Sequence, residues 1–167
     1  MIKTILILLF FILSTSSNSY SAGSSSDSGD SSAIKIKTNY EKAVSHIKWA
    51  KKYEKKGKTE KALKKYAKAQ KLLLKSNDEK PLQADTLNYL GFTTRKLGDY
   101  EKGEEFYLQG LQVEPDHNGM NEYLGELYVV TYRMDLAKGR LNVLKDCNCK
   151  EYNQLKEIIE GTKKSKY

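Results

Sequence analysis

The chain has 167 residues, 39% of them hydrophobic and 30% charged, a balance that suits one globular domain and excludes a second large core. Its net charge of +8 is unevenly spread. Ala33 to Lys80 carries 16 lysines against 5 acidic residues, a net of +11, while Pro81 to Asp135 nets −6 and Leu136 to Tyr167 nets +4. Such asymmetry steers oppositely charged partners, although lysines solvating helix faces are the plainer account.

In chain order, Met1-Ile2-Lys3 is a short positive start and Ile5 to Leu13 an unbroken apolar run, ILILLFFIL. Small residues come next at Ser19, Ser21 and Ala22. The pattern is that of an export signal over residues 1–21, with the periplasm of a Gram-negative bacterium as the expected destination. The run is far shorter than the roughly 20 residues that span a bilayer. An uncleaved anchor is the alternative, since no strong small-x-small site stands out. Residues 22–38, beginning AGSSSDSGDSS, are expected to be a flexible tether.

The folded part begins near Thr38, and its organisation is repetitive. At a shift of 34, Tyr89-Leu90-Gly91 falls on Tyr123-Leu124-Gly125 and Gly103 on Ala137. A shift of 41 places Gly57 on Gly98, Ala62 on Gly103, Tyr66 on Tyr107 and Ala69 on Gly110. The shifts define three copies, over about 43–76, 84–117 and 118–149. The seven extra residues of the first are assigned to the connection Lys75–Gln83. Helices are expected near 39–56, 59–75, 82–97, 100–113, 118–131 and 134–146. A seventh, from about 150 to 164, carries Tyr152, Leu155, Ile158 and Ile159 at helical spacing, and residues 150–167 read as a capping helix and tail. Glycine within a helix costs about 1 kcal/mol against alanine, so Gly91, Gly103 and Gly125 are expected where helices approach closely. Gly57 and Gly98 are expected at helix ends.

With Leu90-Gly91, Gly98, Tyr100, Gly103, Tyr107, Gly110 and Pro115 at a 34-residue period, the second copy resembles a tetratricopeptide repeat. The first keeps Trp49-Ala50, Tyr53, Gly57, Ala62, Tyr66 and Ala69; the third keeps Leu124-Gly125, Tyr128 and Ala137, with Cys149 where the closing proline would stand. The resemblance implies an all-α class: a short α-solenoid of three helix pairs over residues 39–149, closed by a capping helix. It also implies a non-catalytic scaffold that binds a peptide or protein in a concave groove. The register of that family places Val44, Ile47, Lys51 and Glu54 inward in the first copy, Asp85, Asn88, Phe92 and Arg95 in the second, and Glu122, Glu126 and Val129 in the third. From these, Lys51, Asn88, Phe92, Arg95, Glu122 and Glu126 are the candidate partner-binding residues. Ile47 and Gly119 occupy places where some relatives carry a carboxylate-clamping lysine, so that clamp is not expected. The end of the chain is similar to exported bacterial tetratricopeptide proteins that carry a cysteine pair before a similar final helix.

Cys147 and Cys149 are the only candidates for chemistry. In an exported protein an even count favours a disulfide. Free or intermolecular thiols, a soft-metal thiolate pair and a redox pair stay open, and a thiol- or metal-handling protein is the rival class. Two cysteines without a fixed histidine partner are no zinc signature. His46 and His117 stand in no HExxH pattern, and the chain has neither a P-loop nor GxGxxG, so no cofactor, metal or enzymatic activity is expected. The lysines of Lys48–Lys75 are spread around two helices, which disfavours nucleic acid; contact with an anionic envelope surface fits them better.

Overall fold

Thr38 opens the first helix with a reciprocal cap. Its side chain accepts from the Glu41 amide at 3.1 Å, and the Glu41 carboxylate accepts from the Thr38 amide at 2.8 Å, so two otherwise orphaned donors are satisfied. The computed structural model describes residues 37–165; the expected export signal and nearly all of the tether lie outside the described residues. The described residues form seven helices: α1 Asn39–Glu54, α2 Thr59–Glu79, α3 Ala84–Lys96, α4 Tyr100–Val113, α5 Asn118–Val130, α6 Met134–Val143 and α7 Lys150–Ile159. No helix among them is long and apolar enough to cross a membrane.

The helices pair antiparallel. Asn39 at the start of α1 donates to Glu79 at the end of α2, at 2.6 Å, while Tyr66 donates to Glu54 at 2.8 Å near the other end. In the second pair, Leu87 approaches Gly110, Gly91 approaches Tyr107 and Arg95 approaches Gly103. In the third, Arg140 of α6 donates to Asn121 of α5 at 3.3 Å. Successive pairs stack in order, with α2 on α3, α4 on α5 and α7 against α5 and α6. The fold is therefore an all-α solenoid of three helix pairs closed by a seventh helix, as the repeats led one to expect.

One core joins Ala43, Ile47 and Ala50 of α1 to Tyr66, Ala69 and Leu73 of α2 and to Leu87, Leu90 and Phe92 of α3. The next centres on Tyr107, Met120, Leu124 and Leu127. Gly57 (φ +66°) and Gly98 (φ +97°) turn the chain out of α1 and α3 in the left-handed conformation that glycine adopts without penalty. His117, just ahead of α5, caps it: its Nδ1 accepts from the Met120 amide at 3.1 Å.

Three details differ from expectation. The extra residues of the first copy are not all connection, since Ser76 to Glu79 continue α2, where Glu79 holds the start of α1. α7 stops at Ile159 rather than 164, because Gly161 turns left-handed (φ +72°) and the Thr162 and Lys163 amides bond back to the Glu157 carbonyl. Gly125 answers to α7 as well as to α6. A Cβ there would lie 2.5 Å from Leu155 Cδ2 and 3.3 Å from Arg140 Cβ.

Candidate functional site

Aromatic rings and cations meet where the first helices of the three pairs lie side by side. Phe92 of α3 packs edge-on against Tyr66 of α2 (centroids 5.7 Å apart) and tilted against Tyr123 of α5 (5.0 Å). Lys51 of α1 places its Nζ 4.5 Å above the Phe92 ring and 3.3 Å from the Tyr123 hydroxyl. An ammonium over a ring face is held by the ring quadrupole. Beside it, Lys96 pairs with Glu54 at 2.7 Å, and the Tyr66 hydroxyl donates to the same carboxylate. These residues border a groove of about 600 Å³, lined by Lys51, Glu54, Lys55, Thr59, Phe92, Lys96 and Ser165.

Below the groove lies a buried ion pair. Arg95 Nη2 is 3.1 Å from Glu126 Oε2, and neither side chain has any solvent exposure. Arg95 Nη1 also donates to the Tyr123 carbonyl at 2.6 Å, and its guanidinium lies 5.8 Å from the Tyr107 centroid and 6.0 Å from that of Tyr123. Burial pulls the Arg95 guanidinium below its ordinary pKa, against the upward pull of Tyr107, Glu126, Tyr123 and Glu122. Burial also pushes the Tyr66, Tyr107 and Tyr123 hydroxyls well above the usual phenol range. They remain neutral, and none is poised as a base.

The structure brings five of the six candidate residues into one neighbourhood but sinks most of them. Lys51 is half-buried and stands at the groove. Phe92, Arg95, Glu122 and Glu126 are buried, and the rings and charges of Phe92, Arg95 and Glu126 face neighbouring helices of this chain. Asn88 is buried apart from the rest, near Gly119. The register grouped these positions without revealing how far their side chains engage one another. It missed Tyr66 and Tyr123, although the repeat shifts set Tyr66 on Tyr107 and Tyr123 on Tyr89. It also missed Lys96 and Ser165.

Cys147 and Cys149 are joined to each other, with a Cα–Cα separation of 5.2 Å and Asn148 between them at φ +47°. Cys149 stands at the N-cap of α7, so the bridge closes the connection between α6 and the closing helix. Among the described residues no cluster of three His, Cys, Asp or Glu side chains could hold a metal ion.

No family model matches this chain, and no curated protein does. Among solved structures it is similar to one described as "First TPR of Spaghetti (RPAP3) bound to HSP90 peptide SRMEEVD". The two are 19% identical with a TM-score of 0.48, over 75% of this chain and 96% of that one. The architecture itself rests on the helix pairing described above.

Proposed function

We propose that the chain is a non-catalytic scaffold that binds a peptide or protein segment in the groove bordered by Lys51, Phe92 and Lys96. The observation that carries this reading is the layer of rings and cations on one wall. Phe92, buried and braced by Tyr66 and Tyr123, makes a rigid floor at the groove, and Lys51, Lys55 and Lys96 offer charge above it. Aromatic surface costs little side-chain entropy to present, and flanking cations select carboxylates. A segment with an apolar side chain next to an acidic one fits best. Peptides selected from a random displayed library should show that pairing. Lys51→Glu should weaken the selected peptides at least tenfold, about 1.4 kcal/mol, in a chain that circular dichroism shows to keep its helices. Undiminished binding by that variant would remove the groove from consideration.

An exported setting is part of the proposal, supported by the apolar run Ile5–Leu13 behind Lys3 and by the joined cysteines. The rival soft-metal role needs both sulfurs free, whereas here each is bonded to the other; a redox role for the pair is compatible with that bond.

A second reading concerns the outer edge of the first pair. Trp49, the sole tryptophan, is 48% exposed, with Lys52 Nζ 4.7 Å above its ring. Lys61, Lys64, Lys65 and Lys68 surround the neighbouring Tyr53. Burial, with Lys65 and Lys68 adding to it, lowers the pKa of His46 on the same helix, a sign of local positive potential. An aromatic side chain among lysines suits an anionic lipid surface. Vesicles containing anionic phospholipid should shift Trp49 fluorescence to shorter wavelength at low salt, neutral vesicles should not, and high salt should reverse the shift. No shift with anionic vesicles would end this second reading.

A further inference from the structure

The groove has a neighbour within its own chain. Past the end of α7 the chain turns at Gly161, and the next two residues are both tied to Glu157. The Thr162 amide, the Thr162 hydroxyl and the Lys163 amide all donate to the Glu157 carbonyl at 3.0–3.2 Å, and Lys163 Nζ pairs with the Glu157 carboxylate at 3.0 Å. These bonds aim the tail. Its described residues, Thr162-Lys163-Lys164-Ser165, carry no apolar side chain, so hydrophobic burial does not hold it. Three of them are exposed, yet Ser165 is half-buried. Ser165 donates to Glu126 Oε1 at 3.1 Å across 39 positions of sequence. Glu126 is the fully buried carboxylate whose other oxygen faces Arg95, and a donor at Oε1 offsets part of the cost of its burial. Ser165 is also part of the groove wall with Lys51, Phe92 and Lys96.

We infer that the segment Gly161–Ser165 is a tethered occupant of the groove, which an incoming peptide has to displace. This inference rests on the groove being a peptide site. It goes further in naming the first competitor: a short stretch of this same chain, anchored by the Ser165 hydroxyl while Lys163 and Lys164 stay exposed. A short tether holds such a segment at an effective concentration of order millimolar, so even a weak intramolecular contact competes with an external ligand.

Nuclear magnetic resonance on the full chain and on a variant ending at Gly161 tests this. Circular dichroism checks that the shortened chain keeps its helices. Lys164 and Ser165 in the full chain should have backbone order parameters near about 0.85, as in the helices, rather than below about 0.6. Shortening should shift the amide resonances of Phe92, Arg95 and Glu126. A synthetic peptide of sequence GTKKSKY, added in excess, should move them back and bind the shortened chain at least tenfold more tightly than the full one. Ser165→Glu in the full chain, which sets a second carboxylate against Glu126, should reproduce the shifts without removing residues. Mobile Lys164 and Ser165, with resonances indifferent to shortening, would overturn the tethered occupant and leave the groove to the display experiment. Shifts on shortening that the added peptide does not reverse would support the tethered contact and count against a general peptide site.

Discussion

Glu126→Leu is expected to destabilise the domain by about 3–5 kcal/mol, the usual result of stranding one member of a buried ion pair. Both side chains are fully enclosed. Arg95 cannot discharge itself by losing a proton, so the variant leaves a cation in a buried setting that already disfavours its charged form. A small domain has about 5–15 kcal/mol in total, so the loss should be plain in urea unfolding as a lower midpoint at an unchanged slope. The double variant Arg95→Met/Glu126→Leu should recover most of it, because removing both charges also removes the desolvation they suffer. The double-mutant cycle isolates the coupling. A loss below about 1 kcal/mol in the single variant would mean that the pair is wetter than its burial indicates.

The second large effect comes from adding one methyl group in two places, with opposite sign. At Gly91 a Cβ would sit 2.5 Å from Tyr107 Cε1 and 2.8 Å from Cζ, and the fully buried Tyr107 ring has no room to withdraw. Gly91→Ala should therefore cost about 1–3 kcal/mol through overpacking, despite its better helix propensity. Gly139, in the interior of α6, has nothing within 4 Å of the same position. Gly139→Ala should stabilise by about 0.5–1 kcal/mol. Thermal melts of the two variants should bracket the parent. Equal shifts would show that the close approach of α3 to α4 is not what keeps residue 91 a glycine.

Much of the solenoid was legible because it repeats. A 34-residue shift that superposes Tyr89-Leu90-Gly91 on Tyr123-Leu124-Gly125 can only be satisfied by stacked equivalent pairs, and left-handed Gly57 and Gly98 marked their corners. What repetition could not show is what each copy does differently. Gly91 accommodates a tyrosine of its own pair, whereas Gly125 accommodates a leucine from α7, a helix with no counterpart in the other copies. The overrun of α2 to Glu79 escaped for the same reason, since those residues have no equivalents to compare. At the groove, the register of the family that the repeats resemble put Lys51, Phe92, Arg95 and Glu126 on inward faces. Period alone does not say whether an inward arginine meets a partner or a glutamate 31 residues away. Ser165 left no trace in the sequence, because a single hydroxyl in a lysine-rich tail resembles any solvated end.

The wedge of Leu155 into the notch above Gly125 makes α7 a terminator. With Leu155 wholly enclosed and Ile158 nearly so, the last pair offers α7 a seat shaped for a leucine side chain rather than for another tyrosine-filled pair. Lengthening the array by duplicating a copy would succeed only upstream of that seat, with α5, α6 and α7 carried along as one inherited block.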